Sequence, residues 1–151
     1  MKPFESIEAL LDFAIEEEEE AAAFYSALAD KMDRPWMKQV FEDFAREEQS
    51  HKAKLLKIKS GGQASFPAAK VQDLKLAEYL VDSQPSADLD YQQALVLAMK
   101  KEKAAFRLYS DLAETTGDPA IKQVLLGLAQ EEARHKLRFE TEYDDQFLGE
   151  N

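Results

Sequence analysis

The chain has 151 residues, 45% of them hydrophobic and 32% charged, a mixture that can bury the core of one ordinary domain. Its 30 acidic and 19 basic residues leave a net charge of −11, which repels phosphate backbones and anionic lipid and argues against nucleic acid or a membrane as partner. There is no cysteine, so disulfides, thiolate zinc sites, cysteine-ligated iron–sulfur clusters and a cysteine nucleophile are excluded.

Glycine and proline number only five each, which predicts long helices. Over residues 6–32 the apolar positions Ile7, Leu10, Leu11, Ala14, Ala21, Tyr25, Leu28 and Ala29 form one stripe of a first helix, with Ser6 as its N-cap. Asp33-Arg34-Pro35 breaks the pattern, and Pro35 suits the first turn of a second helix that runs to about Lys59 and stops at Gly61-Gly62. A crossover over about 60–87 follows, with loops at Gly61-Gly62, Pro67 and Pro85 and a short helix expected between 71 and 81. A third long helix is expected over about 87–115 and a fourth from Pro119 to about Tyr143, with Gly117-Asp118-Pro119 as the turn between them. Residues 144–151 are expected to be a frayed tail. Trp36 and the phenylalanines read as core packing. Short turns make antiparallel hairpins, so the expectation is an all-α chain, one domain over 1–151. It is a four-helix bundle of two antiparallel helix hairpins joined by a long crossover.

The two hairpins are an internal repeat. Residues 11–55 align with 95–139 without a gap at an offset of 84, with 17 identities in 45 positions. Leu11 meets Leu95, Tyr25 meets Tyr109, Pro35 meets Pro119 and Lys52 meets Lys136. Polar residues that are both repeated and placed on the apolar stripe are therefore expected to converge near a pseudo-two-fold axis.

The second helix carries the stripe Phe41, Phe44, Glu48, His51, Leu55, and the fourth carries Leu125, Leu128, Glu132, His135, Phe139. Both step by three and four, the period of a buried helix seam. His51 and His135 are the only histidines, and each stands three residues after a glutamate. That spacing puts carboxylate and imidazole on one helix face. In the first helix the run Glu16-Glu17-Glu18-Glu19-Glu20 maps onto Lys100, Lys101, Glu102, Lys103 and Ala104. Only Glu18 keeps its identity, as Glu102, and each lies seven residues before a tyrosine, Tyr25 or Tyr109. Glu17 is the runner-up by phase, but its repeat mate is Lys101; Glu16, Glu19 and Glu20 read as a solvated face.

Four carboxylates and two imidazoles in an apolar core are unstable unless something balances their charge. Two divalent cations would do so. Oxygen and imidazole donors without sulfur suit iron or manganese better than a closed tetrahedral zinc site. A workable arrangement has Glu48 and Glu132 bridging, with Glu18 and His51 completing one ion and Glu102 and His135 the other. Tyr25 and Tyr109 are either plain core aromatics or hydroxyl donors that orient the ligand carboxylates.

The set Glu18 with Tyr25, Glu48-Gln49-Ser50-His51, Glu102 with Tyr109, and Glu132-Ala133-Arg134-His135 resembles the rubrerythrin branch of the ferritin-like superfamily. The match covers nearly the whole chain. The resemblance implies a ferritin-like fold and a non-haem di-iron carboxylate centre that reacts with hydrogen peroxide or O2. Its ligands would be Glu18, Glu48, His51, Glu102, Glu132 and His135, with manganese or zinc able to stand in for iron. Full-length rubrerythrins carry a rubredoxin domain with four cysteines; this chain has none, so an external electron donor such as rubredoxin is expected. Rubrerythrins also place a second glutamate shortly after the third-helix ligand, where this chain has Ala104 and Ala105. That makes the site more symmetric, as in bacterioferritins. The expected function is a peroxide-reducing di-iron oxidoreductase in oxidative-stress defence. The alternatives are a ferritin-like ferroxidase or iron-handling protein, and a non-enzymatic metal-stabilised binding bundle. A homodimer is expected, with a crossover long enough for hairpins to be exchanged between subunits. No apolar run approaches the ~18 residues of a transmembrane span, and Met1-Lys2-Pro3-Phe4-Glu5 lacks a signal-peptide core; the expected location is the cytoplasm.

Overall fold

The computed structural model describes residues 6–81 and 89–148. It contains four long helices and one short one: α1 (Ile7–Asp30), α2 (Pro35–Gly61), α3 (Ala68–Gln72), α4 (Tyr91–Thr115) and α5 (Pro119–Tyr143). They fall into two compact units, one built on α1–α3 and one on the chain from Asp73 onward.

In the first unit Ser6 caps α1, its hydroxyl oxygen accepting from the Ala9 N–H at 3.1 Å, the kind of contact worth ~1 kcal/mol. The buried face of α1 is Leu10, Leu11, Ala14, Ile15, Glu18, Ala22, Tyr25, Leu28 and Ala29. The expected Ala21 is replaced on that face by Ala22. Arg34 is extended at φ −88°, ψ 117°, as a residue before proline must be, and Pro35 opens α2 where its missing N–H loses nothing. The buried face of α2 is Met37, Phe41, Phe44, Ala45, Glu48, His51, Leu55 and Ile58. Antiparallel register shows in the side-chain ties: Lys59 to Asp12 at 2.6 Å, Lys52 to Glu19 at 3.1 Å, and the Lys38 ammonium to the Ala29 carbonyl at 3.4 Å.

The second unit repeats the plan with stronger caps. Asp90 and Gln93 form a reciprocal capping box at the start of α4, and Asp118 accepts from the Ala120 and Ile121 N–H groups at the start of α5. Tyr79, in the crossover, is buried and donates its hydroxyl hydrogen to Asp111 of α4 at 2.7 Å. Burial, then the Asp111 carboxylate, pushes the Tyr79 phenol well up from its usual range. Tyr91 of α4 donates to Glu142 of α5 at 2.6 Å.

Several sequence expectations need correction. The short crossover helix is α3, Ala68–Gln72, followed by a single 3₁₀ turn over Leu76–Glu78, rather than a helix between 71 and 81. The Pro67 carbonyl accepts from Lys70 and Val71, so the helix starts directly after the proline. The third long helix starts at Tyr91, not near 87, because the Asp90 cap fixes its first turn. Residues 87 and 88, like Pro85, lie outside the described residues. The expected tail begins instead as a π-helical turn over Asp144–Leu148, with 149–151 outside the described residues. Trp36 is 61% exposed, and Phe106 and Phe147 are also exposed. Trp36 is one step out of phase with the buried Met37, so it faces away from the seam.

Candidate metal centre

Each hairpin places two carboxylates around one imidazole. In the first, His51 Nδ1 stands 3.4 Å from Glu18 Oε2 and 3.3 Å from Glu48 Oε1. In the second, His135 Nδ1 stands 3.5 Å from Glu102 Oε2 and 3.5 Å from Glu132 Oε1. All six residues are buried, none more than 2% exposed. Each triad offers one donor atom per residue, all within 4.8 Å of one another, which is the spacing of atoms that share an ion.

Local helix geometry explains the triads. Glu48 and His51, like Glu132 and His135, are one turn apart on a single helix, so the three-residue step stacks them on one face. Glu18 and Glu102 reach them from the antiparallel neighbour within the same hairpin. Seven residues beyond, Tyr25 and Tyr109 are fully buried. Tyr25 lies among aromatics, its ring stacked on Phe41 and edge-on to Phe44, each at a centroid distance of 6.4 Å. The repeat puts Leu125 and Leu128 at the corresponding positions, so the surroundings of the two tyrosines are not copies.

The electrostatics are those of a cation site. Burial pulls the His51 imidazole down, but hydrogen bonding and charge from Glu18 and Glu48 outweigh it and push the group up to about 11. The two carboxylates thus hold a positive charge on Nδ1. A divalent cation in place of that proton satisfies the same two carboxylates more fully, and the oxygen-and-imidazole donor set fits iron or manganese.

One buried carboxylate escaped the sequence reading. Glu142 is 3% exposed and continues the seam Leu125, Leu128, Glu132, His135, Phe139 by the next three-residue step. The period alone could have found it. It lies just beyond the repeat, and the residue at the same offset of 84 is Ile58, so it has no carboxylate counterpart in the first hairpin. Glu16, Glu19 and Glu20 are exposed, as a solvated face requires. No helix among the described residues is long and apolar enough to cross a membrane.

A hypothetical protein from Pyrococcus furiosus has a similar solved structure: the two are 29% identical, the match covers 96% of each chain, and the TM-score is 0.72. No curated protein is significantly similar. The fold is that of a ferritin-like helical bundle, two antiparallel hairpins joined by a long crossover. The family model described as Rubrerythrin matches residues 9–143, a span that takes in both triads, and the chain belongs to the Rubrerythrin family.

Proposed function

We propose that the chain is a non-haem di-iron oxidoreductase that reduces hydrogen peroxide, or O2, using electrons from a separate donor protein. The observation that carries this reading is the doubled triad: two buried carboxylates around one imidazole Nδ1, repeated in both hairpins. In this reading the six residues would together hold two iron ions, Glu18 and His51 serving one, Glu102 and His135 the other, and Glu48 and Glu132 being available to both. The four carboxylates offset the charge of two divalent ions, and bound iron supplies the two electrons that peroxide reduction consumes.

The chain's own residues do the rest. His51 would give up its Nδ1 proton to become a neutral donor, and His135 presents its Nδ1 from the equivalent position. Tyr25 and Tyr109 orient the ligand carboxylates, and the aromatic packing of Tyr25 against Phe41 and Phe44 keeps water from that side. With no cysteine in the sequence, the electrons come from a protein such as rubredoxin. The proposed setting is the cytoplasm, in oxidative-stress defence, with the chain as a homodimer whose hairpins the long crossover would allow to exchange.

Stopped-flow mixing of the anaerobic ferrous protein with peroxide and, separately, with O2 tests the reading. Fast oxidation by peroxide, with turnover only when reduced rubredoxin is supplied, is the expected result. The second reading, a ferroxidase, is favoured by Ala104 and Ala105, which leave the ligand set symmetric. It replaces the first if O2 oxidises the protein much faster than peroxide and ferric iron then leaves.

A further inference from the structure

Around the conserved phase of Glu18 and Glu102 the two hairpins reverse their charge. Glu16, Glu17 and Glu19 of α1 correspond to Lys100, Lys101 and Lys103 of α4. Lys100, Lys103 and Arg107 recur at steps of three and four, so they form one line along α4, and all three are exposed. Phe106 lies beside that line, three residues after Lys103, and is 42% exposed. Arg107 approaches Glu78 at 3.5 Å, while Lys100 and Lys103 enter no ion pair among the described residues. An exposed aromatic edged by basic side chains, on a chain with a net charge of −11, is a concentrated patch of the minority sign.

We propose that this face of α4, around Lys100, Lys103, Arg107 and Phe106, is the docking surface for a small acidic one-electron carrier protein. The proposal rests on the reading above, in which electrons arrive from outside the chain. Reduction of one peroxide to two waters consumes two electrons and two protons, so a one-electron carrier must visit twice. Charge steering and weak, rapidly released contacts suit such repeated encounters. Position suits them too. Lys103 directly follows Glu102, so a carrier seated here lies across about one helix width, ~10 Å, from a metal-binding carboxylate. A second copy of this chain is the rival occupant, through its acidic α1 face. That face is already partly neutralised, since Asp12 is bound by Lys59 and Glu19 by Lys52. The carrier is therefore the better fit.

The test uses the full chain and acidic rubredoxin loaded with redox-silent zinc, titrated by calorimetry and by amide shifts of labelled rubredoxin. The expected result is binding at low ionic strength that weakens steeply with salt. The double variant Lys100→Glu/Lys103→Glu should bind about tenfold more weakly or worse. Lys54→Glu/Lys57→Glu, on exposed positions of α2, changes net charge equally and should stay within about twofold of the parent. Phe106→Ser should weaken binding without altering its salt dependence. Equal weakening by both double variants, no binding at any salt concentration, or self-association abolished by Lys100→Glu/Lys103→Glu would each overturn the proposal. Oxidation of the iron-loaded Lys100→Glu/Lys103→Glu variant by peroxide should match the parent. Loss of peroxide reactivity in the parent itself would sink the function reading while leaving the docking measurement intact.

Discussion

Tyr91 donates its hydroxyl hydrogen to Glu142 Oε2 at 2.6 Å, at the two positions that the first hairpin fills with Ile7 and Ile58. At the same offset of 84, just beyond the ends of the repeat, a polar pair in the second hairpin thus stands where the first has an aliphatic pair. A carboxylate as buried as Glu142 is tolerable only with hydrogen-bond donors around it, and the Tyr91 phenol is one.

Removing that donor should be felt. Tyr91→Phe is expected to destabilise the fold by ~1–3 kcal/mol, since it strips a charge-assisted hydrogen bond from a buried carboxylate. Tyr91→Ile/Glu142→Ile, which restores the chemistry of the first hairpin, should recover much of the loss. Denaturant melts of the parent and both variants measure this; a double variant no better than Tyr91→Phe would contradict it.

Metal loading should stabilise the chain. A ligand that binds only the native state at about 100 times its Kd adds ~2.7 kcal/mol, so metal-loaded protein should melt well above metal-free protein at neutral pH. Identical melting points would count against the site. Metal analysis should show Glu48→Ala losing both ions if Glu48 bridges, and Glu18→Ala losing mainly one.

Metal and proton should compete at His51. Its pKa in the metal-free fold stands at about 11, above the ordinary 6.5. The group therefore contributes stability that is fully present below about 6.5 and is lost as pH rises through about 11. Loading at pH 8 must displace that proton, so metal binding should release it to the buffer and tighten as pH rises. Calorimetry in buffers of different ionisation enthalpy reads the release. Glu18→Gln, which removes one carboxylate charge, should lower the His51 pKa, and an NMR titration that finds it unmoved would refute the assignment of cause.

Trp36 should behave as a surface residue. At 61% exposure, Trp36→Ala is expected to change stability by no more than ~0.5 kcal/mol, whereas Phe41→Ala, fully buried, should cost ~3–5 kcal/mol. Because Trp36 is the only tryptophan, parent fluorescence should be red-shifted and readily quenched by acrylamide.

The sequence already contained the four long helices, both tight turns and the polar positions on each seam, because these are written in local period and in proline and capping residues. Glu18 emerged from five adjacent glutamates only through its repeat mate Glu102. What was hidden had no local signature or was overlooked. Tyr79 finds Asp111 across 32 positions, a contact that no periodicity encodes. The start of α4 depends on a side-chain cap at Asp90, which apolar pattern alone places a few residues early. Trp36 and Glu142 were legible in phase, one a step off the seam and the other a step along it. Residue type, aromatic in one case and charged in the other, obscured them.

In both triads it is Nδ1 of the histidine that faces the carboxylates. Once a cation takes that nitrogen, the remaining ring hydrogen sits on Nε2, so His51 and His135 are committed to the same tautomer. Neither ring can then shuttle a proton between its two nitrogens while the ion stays bound. With an ion bound, a change in its charge would be met more readily by the oxygen donors than by the rings. The two imidazoles would then be the fixed points of the proposed centre, and its capacity to adjust would lie in Glu18, Glu48, Glu102 and Glu132.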